Sequence, residues 1–188
     1  MTTLAADDPP MAPQPGPAER EPRADEVAQL LDRVQRNWQR RSKLLRQDPE
    51  TKELTGELPK LRRRVLEDVL ALNRMQDEAD RWGMRRLARL LGEKNHVYVE
   101  KTIRDAPEDL LATVVGATPE EVPTRTARVV RNQRRWRTLR REYHDLGERL
   151  YDDVLALRRL GVGSTRVANH LGVPTERVQR IVRSRTRK

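Results

Sequence analysis

Four polar side chains near the end of the chain carry chemistry suited to specific binding. They share one face of a predicted helix, because Val178, Ile181 and Val182 recur at i, i+3 and i+4 and predict a buried face opposite them. Arginine can bond guanine through two hydrogen bonds and glutamine can bond adenine, each good contact contributing about 1–3 kcal/mol of discrimination. The candidate surface for nucleic-acid contacts consists of Arg177, Gln179, Arg180 and Arg183.

A short helix and a glycine turn are predicted immediately before this helix. The residues spaced to form the buried face of the short helix are Val167, Ala168 and Leu171. Gly172 follows them, at the position where a left-handed residue often ends a helix at little cost to glycine. Thr175 is predicted to cap the next helix, and Glu176 to favour its N-terminal end. The window 164–183 therefore predicts two short helices packed across a tight turn.

This pattern resembles the helix-turn-helix superfamily of DNA-binding proteins over residues of about 149–184. The resemblance is to the trihelical class found in resolvase-like tails, in region 4 of sigma factors and in many repressors. It implies that a recognition helix beginning near Glu176 enters the major groove of double-stranded DNA. Trihelical units also occur as packing or protein-docking modules, and that alternative stays open. The residues expected to hold phosphates are Ser164, Thr165, Arg166, Arg185, Arg187 and Lys188.

The chain also repeats itself. The segment 65–74 (VLEDVLALNR) matches 150–159 (LYDDVLALRR) at an offset of 85, and 82–92 aligns with 162–172 at an offset of 80. Such self-similarity is typical of a duplicated structural unit. It predicts a first, degenerate helix-turn-helix unit in the N-terminal half.

The first copy departs from the second where its recognition helix is expected. Glu93 stands in place of Val173, and a one-residue insertion is needed to align Val99 and Ile103 with the second copy. This copy is interpreted either as a second DNA contact or as a scaffold that packs on the other half or docks a protein. Its candidate DNA-contacting residues are Arg85, Arg86, Asn95, His96, Lys101 and Arg104.

Upstream, RNWQRR at 36–41 faintly resembles RNQRRWR at 131–137, which suggests that each half is one long helix followed by a trihelical unit. The predicted fold class is all-α, with two helical lobes and a disordered N-terminal tail. The predicted domains are a Pro-rich acidic tail at 1–23, a helical lobe at 24–118, and an Arg-rich long helix with the C-terminal helix-turn-helix and basic tail at 119–188. Helices are predicted at about 25–45, 59–81, 84–91, 96–104, 107–115 and 124–146.

The long helix of the second half is exceptionally rich in arginine. Eight arginines and no acid fall within 125–141, too many for one stripe of a helix. They are interpreted either as a track for a phosphate backbone or as a solvated face. The same helix carries an apolar stripe that predicts either a coiled-coil seam or packing on the helix at 25–45. The stripe is Val129, Trp136, Leu139, Tyr143, Leu146 and Leu150.

Composition favours a polyanionic partner. The net charge is +10 and the pI is about 10.7, although 33 arginines against 6 lysines also fit a GC-rich genome. There is no cysteine, and neither a signal peptide nor a run of eighteen apolar residues is found. We therefore expect a cytoplasmic, nucleoid-associated protein without membrane contact.

No catalytic or cofactor-binding pattern is found, so neither an enzyme activity nor a cofactor is expected. His96, His144 and His170 lack the paired spacing of a metal site. The acid pairs at 67–68 and 152–153 occupy equivalent places in the repeat and are interpreted as solvent faces of amphipathic helices.

The function predicted from sequence is that of a sequence-specific transcriptional regulator. Two alternatives remain, a protein that coats or bridges DNA and a sigma-like adaptor that docks RNA polymerase or another protein. A homodimer is possible but is not required, because the helix of the other half is an available partner.

Overall fold

The computed structural model describes residues 17–48, 50–75 and 82–183, with side chains from Arg23 onward. The predicted phosphate contacts Arg185, Arg187 and Lys188 lie outside the described residues, as does the predicted tail up to residue 16. The described helices are α1 (Pro17–Leu44), α2 (Glu57–Asn73), α3 (Met84–Leu91), α4 (His96–Arg104), α5 (Glu108–Thr113), α6 (Val122–Arg159), α7 (Ser164–Leu171) and α8 (Thr175–Arg183). The all-α class is confirmed.

A small hairpin joins α1 to α2. Its strands β1 (Arg46–Gln47) and β2 (Leu54–Thr55) are antiparallel, with Arg46 opposite Thr55. Gly56 ends the hairpin at φ 116°, a conformation that only glycine adopts readily. No helix in the described ranges combines the length and apolar character needed to cross a membrane.

The first two helices differ from their predicted limits. α1 begins at Pro17, so residues 17–23 are helical although they were expected in the tail. Proline suits the first turn of a helix, and the residues at 18–21 are favourable helix formers. α2 begins at Glu57, before Pro59, which its first turn tolerates.

α2 ends at Asn73 and not near residue 81 as predicted. The chain returns at Trp82, whose backbone N–H donates to the Leu72 carbonyl at 3.3 Å, while the Asn73 side chain donates to the Trp82 carbonyl at 3.1 Å. Gly116 passes so close that a Cβ there would lie 2.0 Å from the Arg74 carbonyl oxygen. These contacts occupy the space and the carbonyl groups that a longer helix would use.

α6 is one continuous helix of 38 residues, longer at its end than the predicted 124–146. A capping box between Thr118 and Glu121 lies just before it. Beyond residue 146 the helix keeps its buried stripe with Leu150, Val154 and Leu157, so nothing interrupts it before the turn at 160–161. The first helix of the second trihelical unit is therefore the end of α6.

The chain divides into two compact units whose limits differ from the predicted lobes. Among the described residues, unit 1 contains those within 1–36 and 151–188, and unit 2 those within 37–150. The predicted boundary at 118–119 does not separate them, because the long helices α1 and α6 each contribute residues to both units.

Two buried hydrophobic clusters of unit 2 include residues of α6. Near the start of α6, Val129 packs with Val65 and Trp82; farther along, Leu139 and Leu146 pack with Leu44 of α1. The predicted apolar stripe of α6 is thus buried within the chain, which agrees with intramolecular packing on α1. Unit 1 buries Leu30, Leu31, Val34, Val154, Leu157, Val162, Val167, Ala168, Val178 and Val182.

Candidate nucleic-acid interface

In unit 1, α7 and α8 form the predicted pair of short helices around a glycine turn. Gly172 is left-handed, at φ 63° and ψ 39°. Its N–H donates to the Asn169 carbonyl at 3.2 Å, and the Val173 N–H donates to the Ala168 carbonyl at 3.0 Å. These two bonds satisfy the last carbonyls of α7, as in a Schellman end. Of the predicted inner face of α7, Val167 and Ala168 are buried, and Leu171 is partly buried.

The two glycines that flank α7 provide a direct test of this turn. A Cβ added at either Gly163 or Gly172 would meet no atom within 4 Å, so the difference between them is conformational. Gly163 has φ −71° and accepts any residue, whereas Gly172 has φ 63°. We expect Gly172→Ala to lower the free energy of unfolding by about 1 kcal/mol relative to Gly163→Ala. Urea denaturation of both variants measures this, and equal stabilities would contradict the left-handed turn.

α8 presents a basic face opposite its buried face. Val178 is fully buried and Val182 is 7% exposed, whereas Arg177, Arg180 and Arg183 are exposed. With 3.6 residues per turn, Arg180 and Arg183 lie opposite Val178, and Arg177 and Gln179 flank them. Arg180 makes no ion pair with any described residue. Gln179 is partly buried.

The remaining predicted residues of this unit lie at the starts of the two helices. Ser164 opens α7 and is partly buried, while Thr165 and Arg166 are exposed in its first turn. Glu176 is exposed in the first turn of α8. Thr175 is the first helical residue of α8 and not its N-cap, which corrects that prediction. Pro174 precedes it, and the Pro174 carbonyl accepts the Arg177 N–H at 3.0 Å, so the first turn starts one residue earlier.

The first copy in unit 2 repeats this geometry. Gly92 is left-handed, at φ 65° and ψ 33°, and its N–H donates to the Arg89 carbonyl at 3.1 Å. The Glu93 N–H donates to the Ala88 carbonyl at 2.8 Å, as Val173 does to Ala168. α4 begins four residues after Gly92, whereas α8 begins three residues after Gly172. This agrees with the predicted one-residue insertion, because Val99 is fully buried like Val178.

The exposed face of α4 is chemically different from that of α8. Aligning Val99 with Val178 places Lys101 and Arg104 at the positions of Arg180 and Arg183. Val97 and Tyr98 take the positions of Glu176 and Arg177 and are 53% and 50% exposed. The first copy thus combines two cations with an exposed apolar pair.

Some of the other residues predicted to contact DNA in the first copy make contacts within the protein instead. The Asn95 side chain accepts the Val97 N–H at 2.9 Å and caps α4. Arg86 stacks over the ring of Trp82 at 3.8 Å, and Arg104 pairs with Asp105 at 3.5 Å. Other exposed members of the predicted set are Arg85, His96 and Lys101.

Asp68 and Asp153 are buried, so their interpretation as solvent-facing residues is wrong. Asp68 is 1% exposed and accepts hydrogen bonds from Arg128, through Nε at 2.6 Å and through Nη2, and from Arg125 at 3.2 Å. Its side chain raises the pKa of Arg128, chiefly through the hydrogen bond. Asp153 is 5% exposed and accepts a hydrogen bond from Nε of Arg33 at 3.0 Å.

These two ion pairs are equivalent in the repeat, and each joins one half of the sequence to the other. Asp68 and Asp153 match at the offset of 85, and Arg33 and Arg128 match when the 36–41 and 131–137 segments are extended upstream. In unit 1 the long helix of the first half contacts the trihelical segment of the second half; in unit 2 the reverse holds. The similarity of the two copies agrees with this equivalence, since Val34 and Val129 follow the two arginines and are both fully buried.

The eight arginines at 125–141 of α6 differ in their contacts. Arg125, Arg128, Arg135 and Arg137 have carboxylate partners, and Arg140 lies over Trp136 with its guanidinium 5.0 Å from the ring centroid. Arg137 also donates to the carbonyls of Leu91 and Gly92, which binds α6 to the turn of the first copy. Within this segment, the exposed arginines with neither an ion pair to a described residue nor a ring contact are Arg131, Arg134 and Arg141. Their spacing of three and seven places them on one face of α6.

Comparison of the chain with models of protein families, with curated proteins and with solved structures finds no match. Within the part of the chain that the structure describes, no group of three or more His, Asp or Glu residues is clustered to hold a metal ion.

Proposed function

We propose that the chain is a sequence-specific DNA-binding protein that acts as a transcriptional regulator and contacts the major groove through α8. The observation that carries this proposal is the arginine face of α8, exposed opposite a buried valine and held behind a left-handed glycine turn. A helix in such a unit can enter a groove without losing its packing. Guanidinium groups on its outer face then contact phosphates and guanine edges.

The start of α7 and a row of arginines along α6 supply the additional contacts of this proposal. Arg166 is exposed at the start of α7, where a helix-turn-helix protein approaches the DNA backbone. The arginine row of α6, defined as Arg131, Arg134 and Arg141, adds affinity that does not depend on sequence. In the first copy, Lys101 and Arg104 add a weaker contact. This activity implies a nucleoid location.

A protein-interaction adaptor is the second candidate, favoured by Val97 and Tyr98 on α4. Two exposed apolar residues on α4 suit a protein surface better than a phosphate backbone. RNA polymerase is one such partner. A protein that coats DNA without preference shares the salt dependence of the DNA-binding regulator, which separates it from the adaptor, and differs from the regulator in having no preferred site.

The test is the salt dependence of binding to a labelled duplex, measured by fluorescence anisotropy. A DNA-binding protein loses affinity linearly in log salt, with a slope of about −0.9 per neutralised phosphate. We expect the plot of log affinity against log salt to fall with a slope of several units. We also expect the protein to bind some duplex sequences more tightly than others at about 0.15 M salt. Absence of saturable binding at low salt would contradict it and favour the adaptor.

The arginine row of α6 gives a quantitative prediction for the same assay. Replacing Arg131, Arg134 and Arg141 together with alanine is expected to make the salt slope shallower by about 2–3, because up to three phosphate contacts are lost. The matched control removes three exposed cations elsewhere in unit 2, by Arg46→Ala, Lys60→Ala and Arg64→Ala. Equal changes in slope for both triple variants would show that only net charge matters.

A further inference from the structure

A cavity lies in unit 2 between α2, the α3–α4 turn, α4 and α6. Its volume is about 260 Å³, just below the range of about 300–1,000 Å³ for ligand pockets. The buried part of its lining is aliphatic and includes Val65, Val69, Leu91 and Val99. A pocket of this size and lining accommodates a single small ring.

Aromatic and charged groups line the more exposed part of the cavity. Tyr98 of α4 and the partly buried Trp136 of α6 contribute the aromatic lining, and the guanidinium of Arg140 lies over the Trp136 ring at 5.0 Å from its centroid. Arg62 and Arg140 also line the cavity and are exposed. Neither has a carboxylate partner among the described residues.

A carboxylate in the lining is already neutralised. Glu93 borders the cavity, and its side chain lies 3.5 Å from the guanidinium of Arg137. The uncompensated charge of the cavity therefore comes from the two arginines. A guanidinium matches the planar, bidentate geometry of a carboxylate.

We propose that this cavity binds a small planar carboxylic acid, with the ring against the aliphatic lining and the carboxylate between Arg62 and Arg140. The site is distinct from the arginine face of α8, and its existence does not depend on DNA binding. Its connection to the turn is direct, because the Leu91 carbonyl accepts hydrogen bonds from Gln133 at 3.4 Å and Arg137 at 2.8 Å, both on α6. Occupancy therefore alters the surroundings of the turn before α4.

The test is a titration of the full chain, labelled with nitrogen-15, with benzoate and with its neutral analogue benzamide. Benzoate is expected to give saturable shifts in the amide signals of Leu91, Gly92 and Val99. Benzamide is expected to bind at least tenfold more weakly. Non-saturable shifts, equal binding of the two probes, or shifts concentrated on α8 would overturn the proposal.

Two variants locate the contacts. The double variant Arg62→Gln/Arg140→Gln changes exposed residues and is expected to remove the preference for benzoate over benzamide, whereas Arg64→Gln, an exposed α2 residue outside the lining, is expected to keep it. Thr102→Trp places a large ring at the lining and is expected to abolish binding of both probes. Retained preference in the double variant would overturn the proposal even where Thr102→Trp does not fold. Neither failure bears on the proposed DNA contact of α8.

Discussion

Replacing Arg128 with alanine is expected to lower the free energy of unfolding by about 2–3 kcal/mol. Asp68 is 1% exposed, and Arg128 is its principal hydrogen-bond donor, with Arg125 as a more distant one at 3.2 Å. Without Arg128 the buried carboxylate loses two hydrogen bonds. The effect stays below the range of about 3–5 kcal/mol for breaking fully buried pairs, because Arg128 is itself 43% exposed.

The matched control is Arg131→Ala, one turn along the same helix. Arg131 is exposed and makes no ion pair with a described residue, so its loss is expected to change stability by less than about 0.5 kcal/mol. Urea denaturation of the two variants measures the difference. Adding Asp68→Asn to Arg128→Ala should recover part of the loss, because no buried charge then remains. Equal stabilities of the two single variants would mean that the Asp68 contact does not anchor α6.

Replacing Arg180 with alanine is expected to weaken binding to a selected DNA site about 5- to 150-fold while changing binding to random duplex much less. Arg180 lies opposite Val178 on α8, at the centre of the face proposed to enter the groove. Loss of a bidentate base contact removes discrimination, whereas loss of a phosphate contact weakens all duplexes alike.

Arg166→Ala supplies the contrasting result. Its position at the start of α7 predicts equal losses on selected and random duplexes and a salt slope shallower by about 0.9. Arg149→Ala, an exposed arginine of α6 outside the proposed contacts, controls for net charge. Equal effects of Arg180→Ala and Arg166→Ala on both duplexes would refute this division between base and phosphate contacts.

The local features of the two trihelical units could be predicted from sequence because short-range chemistry determines them. Glycine at the end of α3 and α7 permits the left-handed turn, and the i, i+3, i+4 spacing in α8 determines which residues are buried. The inserted residue before α4 was predictable for the same reason. The predicted N-cap at Thr175 is wrong by one residue, because α8 already includes Thr175. Assignments of helix ends commonly differ by one or two residues.

The long-range features could not be derived from periodicity. An aspartate on an amphipathic helix is usually exposed, and only an arginine distant in sequence makes the burial of Asp68 or Asp153 tolerable. The end of α2 likewise depends on contacts made by Trp82 and Gly116. Such contacts also explain why unit 1 combines two segments that are far apart in the sequence.

The two copies also differ in what their exposed helices offer. Both keep cations at the positions of Arg180 and Arg183, but Val97 and Tyr98 replace the charged residues at the start of α8. Under the proposed function, we therefore expect one strong and one weaker DNA contact rather than two equal ones. A site recognised by both copies is expected to be asymmetric.

The most direct test of sequence-specific recognition is to recover DNA bound by the purified protein. Sheared genomic DNA from its own host is incubated with the full chain at near-physiological salt, and the bound fragments are sequenced. Sequence-specific recognition predicts a discrete enriched motif that disappears when Arg177, Arg180 and Arg183 are replaced together with alanine. Uniform recovery of the genome, or no recovery above a bead control, would contradict it.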